Sequence, residues 1–135
     1  VAFHIACMLA DRFGVITLPE LITPELQRRW RLIGIDSARI TSVRCINMTG
    51  EEISQRKAEW EERFIEIAKK QIIEEGAQAI LIGCLAITTH IIPGSRERLE
   101  DKLGVPVIDG SPITIKMAEL MVTLGLKQSK VAYPR

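Results

Sequence analysis

The sequence predicts an α/β fold: a parallel sheet of about four strands with flanking helices. Three observations lead there. Short apolar runs alternate with helix-periodic segments through brief turns, the pattern of βαβ units. Ala79-Ile80-Leu81-Ile82 is apolar at every position, as in a parallel strand covered on both faces. Glycines and capping residues mark where the helical patterns stop and start.

In chain order, Val1, Ile5, Met8 and Leu9 form a helical apolar pattern that is already running at the first residue, and Arg12-Phe13-Gly14-Val15-Ile16-Thr17 suits a buried strand. Thr23-Pro24-Glu25 supplies an N-cap, an N1 proline and an acidic first turn. The helix that follows carries Leu26, Trp30 and Ile33 at helical spacing and stops at Gly34. Ile40 to Ile46 reads as the second strand. Thr49-Gly50-Glu51-Glu52 is a capping box opening a long helix, with Ile53, Trp60, Phe64, Ile67 and Ala68 on one stripe and Gly76 ending it. The charged residues from 51 to 75 form its solvated face, with i,i+4 pairing. After Ala79–Ile82, Ser95 is placed to cap a short helix with Leu99 and Leu103, closed by Gly104. Val105-Pro106-Val107-Ile108 makes a brief strand, and Ser111-Pro112 opens the last helix, closed by Gly125. Residues 1–110 are expected to form one α/β unit, and 111–135 a C-terminal helix and tail.

Composition narrows the function classes. The chain has 135 residues, 47% of them hydrophobic and 26% charged, enough apolar material for one core. With 18 basic against 17 acidic residues and a net charge of +1, it offers nucleic acid or anionic lipid no electrostatic footing. Aromatics at 4% provide no base-stacking platform. No apolar run approaches the roughly 20 residues that span a bilayer, and the first residues lack a charged n-region followed by an apolar h-region. The three cysteines, Cys7, Cys45 and Cys84, have no CxxC spacing, which argues against a disulfide framework and a structural zinc site. A reducing, cytoplasmic setting, no metal, no membrane and no nucleic-acid partner are the resulting expectations.

Sites in open parallel sheets form beyond the carboxyl ends of the strands. Those ends are Thr17, Cys45 to Asn47, Gly83-Cys84 and Asp109-Gly110. Gly83 lets a backbone approach a ligand closely, and the amides of Cys84, Leu85 and Ala86 can face an anion if a helix starts there. From the residues alone, Cys84 is either a buried core cysteine or a reactive thiol favoured as thiolate by that environment. Cys7, on the first helix, is expected to pack, and His4 to lie at that helix's packed or lobe-facing surface. His90 follows Cys84 by six residues and reads as a loop histidine before Pro93-Gly94; a Cys–His pair needs a geometry that spacing does not supply. Asp109 can bind a ligand or cap the last helix, and capping is favoured.

The stretch from Gly76 to Cys84, followed some twenty residues on by Leu103-Gly104-Val105-Pro106-Val107-Ile108-Asp109-Gly110, resembles the aspartate/glutamate/hydantoin racemase superfamily, its hydantoin racemase branch above all. Supporting matches are Arg12–Thr17 with the helix before it, Ser42–Ile46, and the tail Leu124–Lys130, so the similarity runs nearly the whole chain in order. The resemblance implies one lobe of a two-lobed fold and a cofactor-independent racemase acting on a small molecule at a stereocentre next to a carbonyl. Two cysteines do the chemistry in such enzymes: one face of the carbon loses a proton while the opposite face gains another, so a thiolate and a thiol must flank it, and backbone amides stabilise the enolate-like charge. Cys84 matches the family's second cysteine and is the expected catalytic residue. Thr17, Gly83, Leu85 and Ala86 are expected to line the substrate pocket.

The family's first catalytic cysteine belongs to an N-terminal half with no counterpart here. The chain therefore corresponds to the C-terminal part and is expected to be inactive alone, with 111–135 packing on the missing lobe and homo-oligomers forming through exposed apolar surface. Cys45 matches a strand position without a catalytic role in the family. Related decarboxylases or cis-trans isomerases of the superfamily, and a non-catalytic small-molecule binding module, are the alternative readings.

Overall fold

In the computed structural model, which describes residues 1–18, 24–84 and 93–133 with the backbone alone at 24–27, four short strands form one parallel sheet. The elements are α1 (Ala2–Leu9), β1 (Phe13–Thr17), α2 (Pro24–Leu32), β2 (Ile40–Cys45), α3 (Gly50–Gln55), α4 (Lys57–Ile73), β3 (Ala79–Ile82), α5 (Ser95–Leu103), β4 (Val107–Asp109) and α6 (Gly110–Thr123). The expected α/β class is the one observed. Strand order is β2-β1-β3-β4, with every neighbouring pair parallel.

Every residue of β1 and of β3 is buried, which explains why Thr17 is the one polar residue in the two strands. Successive side chains point to opposite faces and divide the core in two. Ile16, Ile80, Ile82 and Val107 face α3, α4 and α5, where Ile53, Trp60, Phe64, Ala68 and Leu99 complete the layer. Phe13, Val15, Ala79, Leu81 and Ile108 face α1 and α2, meeting Ala6 and Trp30. Helix α6 buries little beyond Gly110, leaving Ile115, Leu120, Met121 and Val122 exposed. No helix among the described residues is long and apolar enough to cross a membrane.

The local signals read as expected at several points. Thr49 and Glu52 form a reciprocal capping box: the Glu52 amide donates to Thr49 Oγ1 and the Thr49 amide to Glu52 Oε2. Gly34, Gly76, Gly104 and Gly125 all take positive φ where helices stop. Thr23, expected as an N-cap, lies outside the described residues, as does the side chain of Leu26.

Other points differ. The helix expected to run unbroken from residue 50 divides at Arg56, whose φ of −124° and ψ of 56° leave the helical region. Ile53 and the Trp60 stripe enter the same core on both sides of the break, so the apolar pattern does not register it. Ser95 is the first residue of α5 rather than its cap; Gly94, at φ 72°, holds the cap position and has no side chain to bond with. β4 begins at Val107, because Pro106 has no N–H to give the ladder and contributes its carbonyl to the Ile80 amide at 2.9 Å. Ile33 falls beyond α2 and is exposed.

Two side chains tie the edge strand β2 to its surroundings. Arg39 closes the C-terminal end of α1: Nη2 donates to the carbonyls of Cys7 and Ala10 at 2.9 Å each, and Nε to that of Asp11 at 3.0 Å. Glu75, just past α4, accepts from Ser42 Oγ and from the Arg44 guanidinium. Burial pushes the Glu75 carboxyl up, but the bonds from Ser42 and Arg44, the Arg44 charge and the Thr41 hydroxyl outweigh it, so Glu75 titrates below its ordinary value of 4.5.

Arg39→Ala leaves the end of α1 open and should lower the unfolding free energy in urea by about 2 kcal/mol, with Arg39→Lys recovering less than half because one ammonium lacks the guanidinium fork. For Glu75, a depressed native pKa means its stabilisation is complete above the ordinary 4.5 and is lost as pH falls through the range below it. The stability gap between the parent chain and Glu75→Gln should accordingly be wide in urea melts at about pH 7 and narrow at about pH 3.

Candidate active site

Because β1 is flanked by β2 and β3, the chain must cross behind β1 to pass from β2 to β3. Winding direction changes there, and the carboxyl ends of β1 and β3 flank the position where open α/β sheets place ligands. Thr17 ends β1 and Gly83-Cys84 follows β3, so the topology brings these expected site residues to one place.

Thr17 is 1% exposed, and its Oγ1 has no hydrogen-bond partner among the described residues. Its carbonyl accepts from the Ile46 amide at 3.0 Å, tying β1 to the end of β2. The Gly83 amide donates to the Ile16 carbonyl at 2.8 Å. A Cβ on Gly83 would lie 2.8 Å from Thr17 Cβ, 3.0 Å from Thr17 Oγ1 and 3.2 Å from Val15 Cγ1, so β3 can approach the Thr17 side chain only without a side chain of its own. Cys84, next in the chain, is a free, half-buried thiol packed against the α3–α5 face of the core. Leu85, Ala86 and His90 lie outside the described residues.

Cys45 stands level with Thr17 in the sheet. Its thiol lies 3.0 Å from Asn47 Oδ1 and accepts from the Asn47 amide at 3.3 Å; Asn47 takes a φ of 51°, the left-handed conformation that asparagine tolerates. A cleft of about 280 Å³ opens between this turn and α4, lined by Cys45, Ile46, Asn47, Arg63, Glu66 and Ile67.

The remaining candidates have structural partners. Asp109 Oδ1 accepts from the Ser111 amide at 2.9 Å and caps α6, the favoured reading. Cys7 is half-buried against the α1–α2 layer, as expected. His4 is exposed on α1, with Nε2 3.1 Å from the Ile33 carbonyl. No group of three or more His, Cys, Asp or Glu among the described residues is placed to hold a metal ion. Residue-type reasoning overlooked Gln71, a fully buried glutamine beneath β1 and β2. The signal was its place on the Phe64–Ala68 stripe of α4, where a polar residue needs an explanation.

The profile of the Asp/Glu/hydantoin racemase family matches residues 1–118. The chain belongs to that family. Among curated racemases, it is 35% identical to a hydantoin racemase of Rhizobium meliloti over 99% of this chain and 54% of that protein. A hydantoin racemase of Pseudomonas sp. (strain NS671) is 33% identical over 95% of this chain and 49% of its own length. The crystal structure of allantoin racemase from Pseudomonas fluorescens superposes with a TM-score of 0.83 at 30% identity, covering 96% of this chain and 53% of that one. Allantoin racemase from Klebsiella pneumoniae gives a TM-score of 0.80 at 28% identity, covering 99% and 54%. The chain thus spans about half the length of the racemases it matches.

The Thr17–Gly83 approach in this racemase-family chain should be intolerant of a single methyl. Gly83→Ala is expected to cost about 2 kcal/mol in chemical denaturation through overpacking. A double-mutant cycle with Thr17→Gly, which removes two of the three contact atoms, should show favourable coupling between the sites.

Proposed function

We propose that this chain is the carboxyl-terminal half of a cofactor-independent racemase acting at a stereocentre next to a carbonyl, with a cyclic ureide of the hydantoin or allantoin kind as substrate. The observation that carries the proposal is the placement of Cys84, immediately after Gly83 at the carboxyl end of β3 and across the switch point from Thr17, in a chain of the racemase family. Relatives named for hydantoin and allantoin support the substrate class.

Cys84 is assigned one of two acid/base roles. As thiolate, it takes the proton from the substrate carbon and becomes a thiol; a second cysteine, outside these 135 residues, delivers its own proton to the opposite face and is left as thiolate. The carbon is inverted, and the enzyme has exchanged one proton for another. Between the two transfers, charge sits on the adjacent carbonyl oxygen, where backbone N–H groups at the strand ends lower its energy. Thr17 and Gly83, together with Leu85 and Ala86, line this pocket in the proposal, and the unpartnered Thr17 hydroxyl is available to a substrate oxygen or nitrogen. Helix α6 and the tail belong to the contact with the other half, which explains why Ile115, Leu120, Met121 and Val122 are uncovered.

The test is racemisation in deuterated solvent by a full-length protein carrying this sequence as its carboxyl-terminal part. Cys84→Ser should reduce racemisation by about 10²- to 10⁴-fold while one enantiomer still exchanges its hydrogen with solvent, since the other thiol retains its proton-transfer role. Undiminished racemisation in Cys84→Ser sinks the assignment.

A further inference from the structure

We infer that Gln71 is a positioning residue for the candidate site: its carboxamide fills a bulge in β2 and so holds Cys45, rather than Arg44, level with Thr17. Between the pairs Phe13↔Ile40 and Val15↔Val43, β1 advances two residues while β2 advances three. One residue of β2 is therefore extra, and the ladder is interrupted around Thr41 and Ser42. Side-chain directions agree. Ile40 and Val43 pack into the same apolar layer although three residues separate them, whereas Ser42 and Arg44 reach across the opposite face to Glu75. A strand of strict period two cannot do this.

A bulge strands backbone carbonyls inside the protein, and each needs a donor. Gln71 supplies it from α4. Its Nε2 lies 3.1 Å from the Ser42 carbonyl, 2.8 Å from Ser42 Oγ and 3.4 Å from the Val15 carbonyl. Ser42 Oγ spends its own proton on Glu75, so it accepts from the amide, which orients the carboxamide. β1 makes room on its side: a Cβ on Gly14 would stand 2.5 Å from Gln71 Oε1 and 2.6 Å from Cδ. Gly14 is therefore the recess that admits the amide.

Continuing the register from Phe13↔Ile40 without the extra residue would set Val15 against Ser42 and Thr17 against Arg44. A guanidinium would then stand beside Thr17, and Glu75 would lose its partner. With the bulge, Cys45 takes that place. What this register does for the site rests on the racemase reading above, in which Thr17 lines the pocket and is kept clear of the Arg44 guanidinium; the bulge and its plug do not.

The experiment is amide hydrogen exchange followed by NMR on the 135-residue chain. The Ile46 amide, bonded to the Thr17 carbonyl beyond the bulge, is compared with the Ile80 amide, bonded to the Pro106 carbonyl across the sheet. Gln71→Met removes the donors, and Gly14→Ala pushes the amide out while keeping every hydrogen-bonding group. Each should speed Ile46 exchange by about tenfold relative to Ile80, the loss of roughly one hydrogen bond's worth of local stability. Equal acceleration at both amides, or none, overturns the positioning role. Should both variants fail to fold, the parent chain decides: the Gln71 carboxamide protons should be protected from solvent exchange and show cross-peaks to Ser42, and a freely exchanging carboxamide overturns the inference. The Cys84→Ser racemisation result bears on the racemase reading alone, so the two can fail separately.

Discussion

The structure depends on one constraint, the complete burial of β1. Each of Phe13, Gly14, Val15, Ile16 and Thr17 is out of water, so the strand needs a hydrogen-bonding neighbour on both edges and a helical layer on both faces. Strands β2 and β3 meet the first requirement; α1 with α2, and α3 to α5, meet the second. Magnitudes favour this reading over one based on surface charge. Burying a side chain such as Phe13 or Ile16 is worth about 1.5–3 kcal/mol, whereas a partly exposed helix pair such as Lys70–Glu66 contributes about 0.3–0.5 kcal/mol.

The same constraint creates the candidate site. A central strand flanked by β2 on one side and β3 on the other forces the winding to reverse, and the reversal falls at the carboxyl ends of β1 and β3, where open α/β sheets place ligands. Two features there run against packing economy. Gly83 gives up a side chain so that β3 can press against Thr17, and the Thr17 hydroxyl is buried without a partner among the described residues, a cost of about 1–3 kcal/mol. In the proposed racemase, the substrate completes what the fold leaves unsatisfied.

Most of the architecture was legible because it is written in local chemistry. The uniform apolar run at Ala79–Ile82, the Thr49–Glu52 box and the glycines at positions 34, 76, 104 and 125 each act within a few residues of themselves. What escaped notice is set by contacts distant in sequence. The change of direction at Arg56 has no proline or glycine to announce it, because both segments bury the same stripe. The β2 bulge depends on an amide 29 residues away at Gln71, and Ile40 to Cys45 shows no sign of it. At the site, Gly83 and Thr17 could be named from their strand ends, but their mutual approach is a property of the β1–β3 register. Cys84 was singled out by position together with resemblance, since half-burial alone suits an inert core thiol equally well.

In the proposed chemistry, a well-packed sheet of this kind supplies one of two acid/base groups. Inverting a carbon centre requires an acid and a base on opposite faces of it, and groups at one sheet edge can approach a bound molecule from one side only. Thr17 and Cys84 stand at the carboxyl ends of β1 and β3. In the proposed racemase, the opposing group is the second cysteine, outside these 135 residues. In that proposal, the uncovered apolar residues of α6 meet the other half at a distance from β1, whose burial is already complete within this chain.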